Sequence, residues 1–160
     1  QMSISKHFTL NELMKSQTAL RLGLDNTPDN DALEALTALC ENVLEPVREH
    51  YGLPVVVSSG YRSPAVNKAI GSKSTSQHTK GEAADIEIPG IDNLELYYWI
   101  AINADFDQAI LEYYNGEPSS GWVHVSYAGH ENRRQTLRID KSGVKRETFS
   151  GDNGLPPLAA

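Results

Sequence analysis

Apolar positions follow a helical period in the first third of the chain and a strand period in much of the rest. The helical period is carried by Leu33, Leu36, Leu39, Cys40, Val43, Leu44 and Val47. This spacing predicts one long amphipathic helix over residues 27–50, opened by Thr27-Pro28 and ended by Gly52. Pro46 interrupts the pattern, so we expect the helix to be kinked or divided near Glu45.

Shorter segments with the same two periods fill the remaining sequence. Further helices are predicted at 9–15, 63–71 and 94–104, behind the capping residues Thr9, Ser63 and Asp92. Apolar runs and alternation predict strands at 54–58, 83–88, 106–114, 122–127 and 135–139. Because the strands interleave irregularly with helices and the last ones follow one another closely, the pattern indicates an α+β fold with a mainly antiparallel sheet.

Length and composition narrow the class of protein. The 160 residues, of which 39% are hydrophobic and 22% charged, suit a single soluble domain. We place this domain at residues 1–150 and expect the Gly/Pro-rich tail at 151–160 to be loosely ordered. No run of about 20 apolar residues predicts a membrane span. The single cysteine, Cys40, lies on the apolar helix face, so we expect a buried small side chain and not a reactive thiol.

The charge balance argues against nucleic acid as a partner. The formal net charge is −7, whereas contacts to phosphate groups need clustered lysine and arginine. The one local basic group consists of Arg133, Arg134 and Arg138, and we interpret it as the solvated face of a strand.

Three separated residues have the chemistry of metal ligands. His78 ends a polar, turn-like segment, and Asp85 lies in the predicted strand that follows, with Gly81 between them. His124 lies in an apolar strand, where an unpaired imidazole is unfavourable. Three such ligands with one open position define a catalytic zinc site, so we predict that His78, Asp85 and His124 bind Zn²⁺. The alternatives are a surface position for His78 and a satisfied core position for His124.

Hydrolysis at such a site also needs a base and a group that stabilises negative charge. If the hairpin turn is centred near Pro118, Glu112 lies directly opposite His124 and on the same face. Glu112 is therefore the predicted base, although a solvent-facing position would also explain it, and the loop residue Glu117 is the second candidate. Arg62 follows a predicted strand and can bind a substrate carboxylate, stabilise an oxyanion or simply brace the loop.

Three motifs together resemble the zinc D-Ala-D-Ala carboxypeptidase family, most closely its short single-domain bacterial and prophage members. They are Ser59-Gly60-Tyr61-Arg62-Ser63, Ser76-x-His78-x-x-Gly81-x-Ala83-x-Asp85 and Trp122-Val123-His124. The resemblance extends over about residues 7–138. It implies the hedgehog/D,D-peptidase fold, zinc bound by the His, Asp and His of these motifs, and Arg62 as the substrate or oxyanion group. We also assign Tyr61, Ser76 and Trp122 to substrate binding.

The reaction that the resemblance implies is hydrolysis of a peptide bond in peptidoglycan stem peptides, by a carboxypeptidase or an endolysin-like endopeptidase. One departure concerns the base. Gly121 stands where many relatives carry an acidic residue, three positions before the last His, and Trp122 stands where others carry a His. In the short members a strand of the type Gln-x-x-x-Glu precedes the Trp-x-His strand, and here Gln108 and Glu112 have this spacing. The resemblance therefore favours Glu112 as the base. The alternative function is a zinc-stabilised module that binds cell-wall peptide without cleaving it.

We expect a monomer that acts at the bacterial cell wall. The first ten residues, QMSISKHFTL, lack the apolar region of a secretory signal peptide. Cytoplasmic synthesis with prophage-type release and removal of a leader are both compatible with that feature.

Overall fold

One mixed sheet organises the described part of the chain, which in this computed structural model comprises residues 2–149. Its six strands are β1 (Val56–Ser59), β2 (Ala83–Glu87), β3 (Gln108–Glu112), β4 (Trp122–Ser126), β5 (Gln135–Asp140) and β6 (Gly143–Arg146). The spatial order is β1-β2-β4-β3-β5-β6. The β3–β5 pair is parallel and the other four neighbouring pairs are antiparallel. The predicted α+β fold with a mainly antiparallel sheet is confirmed.

Helices occupy the N-terminal part of the chain and the connections from β1 to β2 and from β2 to β3. They are α1 (Leu10–Met14), α2 (Gln17–Leu22), α3 (Asn30–Leu39), α4 (Glu45–Tyr51), α5 (Pro64–Ala69) and α6 (Asn93–Asn103). The predicted N-caps are confirmed. The side-chain oxygens of Thr9, Ser63 and Asp92 accept hydrogen bonds from backbone N–H groups of the helices they precede. The short helix α2 was not predicted from the pattern.

The observed structure differs from the long helix predicted over residues 27–50 in two places, at its start and near Pro46. It begins at Asn30, not at Thr27-Pro28, because the Asp29 carboxylate accepts from the Ala32 N–H and caps it. A π-helical turn over Cys40–Leu44 joins α3 to α4, and the Glu45 N–H bonds to the Cys40 carbonyl. Pro46 has no backbone N–H to donate, and it follows the widened turn at the start of α4. The chain therefore stays helical past the proline, and Gly52 ends the helix.

Alternation along the strands separates a core face from a second face of the sheet. The core-facing side chains of β2, β3 and β4 are fully buried and cluster with Leu36, Leu39, Leu96 and Ile100 of the helices. Burial of each such leucine, isoleucine or valine contributes roughly 1.5–3 kcal/mol to stability. Asp85 and His124 alternate with these core residues and therefore lie on the second face.

Cys40 is fully buried, as predicted. Arg133 and Arg134 are exposed, as expected, but they precede β5 and only Arg138 lies in a strand. All three have partners: Arg133 pairs with Asp107, Arg138 pairs with Glu147, and Arg134 donates to backbone carbonyls at the end of α6. Among residues 2–149, no helix has the length and hydropathy to cross a membrane. The predicted tail at 151–160 lies outside the described residues.

Candidate metal centre and its surroundings

His78 is held in place by the short turn that carries it. Residues Gln77–Lys80 form one 3₁₀ turn, and the Ser76 hydroxyl accepts a hydrogen bond from the His78 N–H at its start. The His78 Nδ1–H donates to the Gly60 carbonyl over 2.7 Å. This bond settles the tautomer, because the proton on Nδ1 leaves Nε2 with a free lone pair. The imidazole is buried, with 3% of its residue surface exposed.

Gly81 ends the turn and has no substitute there. Its φ is +74°, a conformation that favours glycine. A Cβ atom at this position would lie 2.3 Å from the Ala32 carbonyl oxygen, so the turn packs directly on α3. The glycine of the His-x-x-Gly motif thus positions His78 through backbone contact.

The three predicted ligands converge. His78 Nε2 lies 3.5 Å from Asp85 Oδ1 and 3.3 Å from His124 Nδ1, and His124 Nδ1 lies 3.1 Å from the same Asp85 oxygen. Ligand atoms bound to zinc at about 2.0–2.2 Å in a tetrahedral arrangement are about 3.3–3.6 Å apart, so the two spacings from His78 fit and the one between His124 and Asp85 is slightly shorter. Within residues 2–149, this is the group of histidine, cysteine and acidic side chains that could hold a metal ion.

The electrostatics of the group also suit a cation. The Asp85 side chain is only 13% exposed. Burial opposes its ionisation, but the adjacent imidazoles of His124 and His78, whose nearest ring nitrogens lie 3.1 Å and 3.5 Å from Asp85 Oδ1, outweigh burial and hold the pKa of the carboxyl well below its usual range. A charged carboxylate and the free lone pair of His78 therefore face the same point, and a bound cation would neutralise their mutual repulsion.

Glu112 lies beside this group, although not in the predicted register. Ile110 is the residue directly opposite His124, and Glu112 is opposite Trp122, so the predicted pairing of Glu112 with His124 is wrong by two residues. Because a shift of two residues preserves the face, Glu112 still points to the side of the sheet that carries the ligands. Burial, together with the nearby Asp85 charge, raises the pKa of Glu112, while His124, Trp122 and Arg62 partly offset that rise.

The Glu112 carboxylate is held by its neighbour on β4. The Trp122 Nε1–H donates to Glu112 Oε2 over 3.0 Å, and the Trp122 ring packs on Tyr113 with centroids 5.5 Å apart. Trp122 was assigned to substrate binding. Its observed contact is with Glu112, and a direct role toward substrate stays a prediction.

The hairpin loop behind Glu112 explains the register. Tyr113 has a φ of +56°, and its N–H bonds to the Ile139 carbonyl on β5, so pairing with β4 stops at Glu112. Gly121 has a φ of +64°, and a Cβ atom there would lie 2.0 Å from the Glu112 carbonyl oxygen. A side chain at position 121 has no room, which is why this chain cannot carry an acidic residue there.

Asn93 anchors the same loop and was not found from the sequence. It is 1% exposed, its N–H donates to the Pro118 carbonyl, and its side-chain amide donates to the carbonyls of Ser120 and Gly121. The signal in the sequence is only a polar residue at the first position of a helix, which normally suggests a cap. The runner-up base Glu117 lies in this loop and is exposed.

Arg62 borders the ligand group on the other side. Its Nη2 donates to the Ser76 hydroxyl over 3.3 Å, and its backbone N–H donates to the His78 carbonyl over 3.0 Å, so the two motif loops are tied together. Burial lowers the pKa of Arg62, and the charges of Asp85 and Glu112 counteract that effect. Ser76 therefore contacts Arg62 and His78, and its assignment to substrate binding stays a prediction.

Tyr61 differs from the other predicted binding residues in its burial. Its side chain is 5% exposed and belongs to the hydrophobic core, so it presents little surface to a substrate. Asn26, which was not predicted, holds this segment: its amide donates to the Tyr61 carbonyl and its Oδ1 accepts from the Ser63 N–H.

The fold and the site together define a class of protein, an α+β domain whose sheet carries a two-imidazole, one-carboxylate group suited to a metal ion. A model of the peptidase M15 family matches residues 6–126. The chain belongs to this family, and the resemblance to zinc D-Ala-D-Ala carboxypeptidases is confirmed. The family is zinc-dependent, in agreement with the donor set of His78, Asp85 and His124. No individual curated protein matches the chain.

Proposed function

We propose that this protein is a zinc-dependent peptidase that hydrolyses stem peptides of peptidoglycan at the bacterial cell wall. One observation carries the proposal: the donor atoms of His78, Asp85 and His124 converge on the sheet face that also carries Glu112. Family membership supports the peptidase class. The peptidoglycan substrate rests on the resemblance to carboxypeptidases that act on it.

His78, Asp85 and His124 would hold the zinc ion, which would supply Lewis acidity toward a peptide carbonyl and the attacking water. Glu112 acts as the general base, because its raised pKa makes it a better proton acceptor than an ordinary glutamate while Trp122 keeps one carboxylate oxygen in place. The carboxylate takes a proton from water as the new C–O bond forms. It then delivers that proton to the leaving amine as the C–N bond breaks.

Arg62 stabilises negative charge at the same site. Its guanidinium is partly buried, remains positively charged, and is oriented by a hydrogen bond to Ser76. Donors of this kind stabilise the oxyanion that develops on the carbonyl oxygen, or bind a substrate carboxylate bidentately.

Metal analysis and peptide cleavage test the proposal. The purified protein is expected to contain one zinc per chain, to cleave muropeptides, to lose activity on chelation and to regain it when zinc is restored. A zinc-loaded protein that binds stem peptides without cleaving any of them, across a broad range of pH and of peptide sequences, overturns the catalytic assignment.

A further inference from the structure

A buried carboxylate outside the ligand group, that of Asp107, lies directly before β3. Its side chain is 4% exposed. The Asp107 N–H donates to the Ser126 carbonyl over 2.8 Å at the end of β4, and the Gln135 N–H donates to the Asp107 carbonyl over 2.9 Å at the start of β5. Backbone bonds therefore fix Asp107 to both strands that flank β3. Burial of an ionised carboxylate is unfavourable unless partners compensate it, so its partners indicate its role.

Arg133 supplies the opposite charge. Its Nη2–H donates to Asp107 Oδ2 over 2.7 Å, and its Nε–H donates to Oδ1 over 3.1 Å. The Arg133 backbone N–H also donates to Oδ1, over 2.8 Å. The side-chain hydrogen bonds from Arg133 outweigh burial and hold the pKa of Asp107 below its usual value, so the carboxylate is ionised. Arg133 lies beyond residue 126, at which the match to the family model ends.

Gln77 connects this ion pair to the turn that carries His78. Its side-chain Nε2 donates to Asp107 Oδ2 over 3.0 Å and to Glu82 Oε1 over 3.2 Å. Gln77 is the first residue of the 3₁₀ turn and directly precedes His78. The Gln77 carbonyl also accepts from the Glu82 N–H over 3.0 Å, just after the turn ends. Gln77, Asp107 and Arg133 therefore form a hydrogen-bond network, which we name the Gln77 network, that ties the turn to the sheet.

His78 depends on such a tie more than the other two ligands do. Asp85 and His124 are register partners on the neighbouring strands β2 and β4, so the ladder itself holds them together. His78 lies in a turn outside the sheet, with its Nε2 3.5 Å from Asp85 Oδ1 and 3.3 Å from His124 Nδ1. Metal sites tolerate deviations of only about 0.2 Å in ligand distance, so the position of this turn matters for affinity.

We propose that the Gln77 network positions His78 for metal binding, so that Arg133, a residue outside the matched segment, raises the affinity for zinc. This inference rests on the proposed zinc-dependent function and adds three positioning residues to it. The direction of the effect separates positioning from simple electrostatics. Removing the positive charge of Arg133 favours a nearby cation by Coulomb's law, whereas loosening the turn weakens metal binding.

Zinc affinity, measured on the full chain by competition with a chromogenic chelator, tests the network. Gln77→Leu keeps most of the side-chain volume but removes both amide hydrogen bonds, and we expect the Kd for Zn²⁺ to rise about 10-fold. Arg133→Met should raise it about 3-fold, because Asp107 remains to accept from Gln77. The double variant should bind zinc as Gln77→Leu does, since Arg133 acts only through that amide. Gln77→Leu leaves the buried ion pair intact, so it carries the test even if Arg133→Met does not fold.

Two control variants lose equivalent contacts elsewhere in the sheet. Gln135→Leu removes the amide hydrogen bond with Gln108, and Arg138→Met removes the ion pair with Glu147. Neither contact involves the turn that carries His78, so both variants should keep the wild-type affinity for zinc.

Hydrogen exchange in the metal-free protein gives a second measurement that involves neither zinc nor activity. The Arg62 N–H donates to the His78 carbonyl and the Glu82 N–H donates to the Gln77 carbonyl, so both amides report on the turn. We expect both to exchange about 10-fold faster in Gln77→Leu and at the wild-type rate in the two control variants.

The outcomes separate this inference from the function on which it rests. If the wild-type chain binds zinc and all variants bind it equally, the positioning role is overturned and the peptidase function is not. Tighter zinc binding by Arg133→Met, or independent losses that multiply in the double variant, also overturns the positioning role. Faster exchange with unchanged zinc affinity does so too, because the network then only stabilises the turn. A wild-type chain that binds no zinc overturns the proposed function and this inference together.

Discussion

The ligand group and the proposed base lie on one face of the same sheet, but different kinds of contact fix them. The His78 ring is oriented by its own hydrogen bond to the Gly60 carbonyl, on a turn that Gly81 packs against α3. The position of the proposed base along β3 is set by hairpin backbone conformation, because the left-handed residues Tyr113 and Gly121 end the pairing at Glu112, and Trp122 then orients its carboxylate. Metal binding and base geometry should therefore respond to different substitutions.

The metal ligands and the hairpin that carries Glu112 should lose function in different ways when they are substituted. Removing a ligand leaves a charged or polar group buried without its partners, which affects the metal first. Altering the hairpin loop displaces Glu112 and Trp122 most, whereas His78 and Asp85 lie outside the hairpin and His124 is still paired with Asp85 on β2, so zinc should remain bound. Measuring zinc content and turnover on the same variants separates the two regions.

The largest effect is expected from Asp85→Asn. The amide keeps the shape of the side chain but removes the negative charge that faces His78 and His124. We expect zinc affinity to fall by at least about 100-fold and peptide cleavage to fall to background. Metal content by mass spectrometry checks this, and Asp31→Asn, an exposed change on α3, is the control. A fully zinc-loaded Asp85→Asn protein would contradict the ligand assignment.

Glu112→Gln is expected to have the next largest effect, and only on turnover. The amide cannot accept the proton of the attacking water, so kcat should fall by roughly 10²–10⁴ while zinc stays bound. Glu117→Gln in the exposed loop is the matched control and should retain full activity. The reverse result, with activity lost in the loop variant alone, would assign the base to Glu117.

Gly121→Ala tests whether the backbone of the hairpin positions the base. The added Cβ would lie 2.0 Å from the Glu112 carbonyl oxygen, so β3 and β4 must shift apart there. We expect kcat to fall about 10-fold and stability to fall by about 1–3 kcal/mol, with zinc retained. Gly116→Ala is the control, because Gly116 also has a positive φ, +99°, but nothing lies within 4 Å of its Cβ position. Equal activity of the two variants would contradict the positioning role.

The same contrast explains what the sequence could predict. The predicted ligands His78 and Asp85 are close in sequence and separated by a glycine-ended turn, and this local pattern together with His124 and the three-motif resemblance was enough to predict them. The α+β class followed from periodicity alone. The register of Glu112 was not predictable, because nothing in the sequence indicates that Tyr113, a non-glycine residue, adopts a φ of +56°. A hairpin loop of this length allows several registers that place Glu112 on the same face.

Two further kinds of feature were not predicted from the sequence: an exposed strand, and asparagines that bond to distant parts of the backbone. Strand β6 (Gly143–Arg146) is exposed along its whole length, so it has no apolar alternation to reveal it. Asn93 and Asn26 act through bonds to distant backbone carbonyls, and an isolated asparagine has no pattern that identifies such a role. The sequence thus identified the side chains that carry chemistry but not the polar residues that hold their loops.

Trp122→Phe is expected to have the smallest effect on the rate and the clearest effect on its pH dependence. The phenyl ring fills much of the same space but cannot donate to Glu112 Oε2. Glu112 must be ionised to act as a base, and its pKa is already raised by burial and by Asp85, whereas Arg62, His124 and the indole N–H stabilise the charged form. Loss of the indole donor should raise the pKa further, so the acidic limb of kcat/KM moves toward neutral pH while the rate at higher pH falls only about 3-fold. Trp99→Phe on α6 is the control, and an acidic limb that is the same in both variants would show that Trp122 does not act through Glu112.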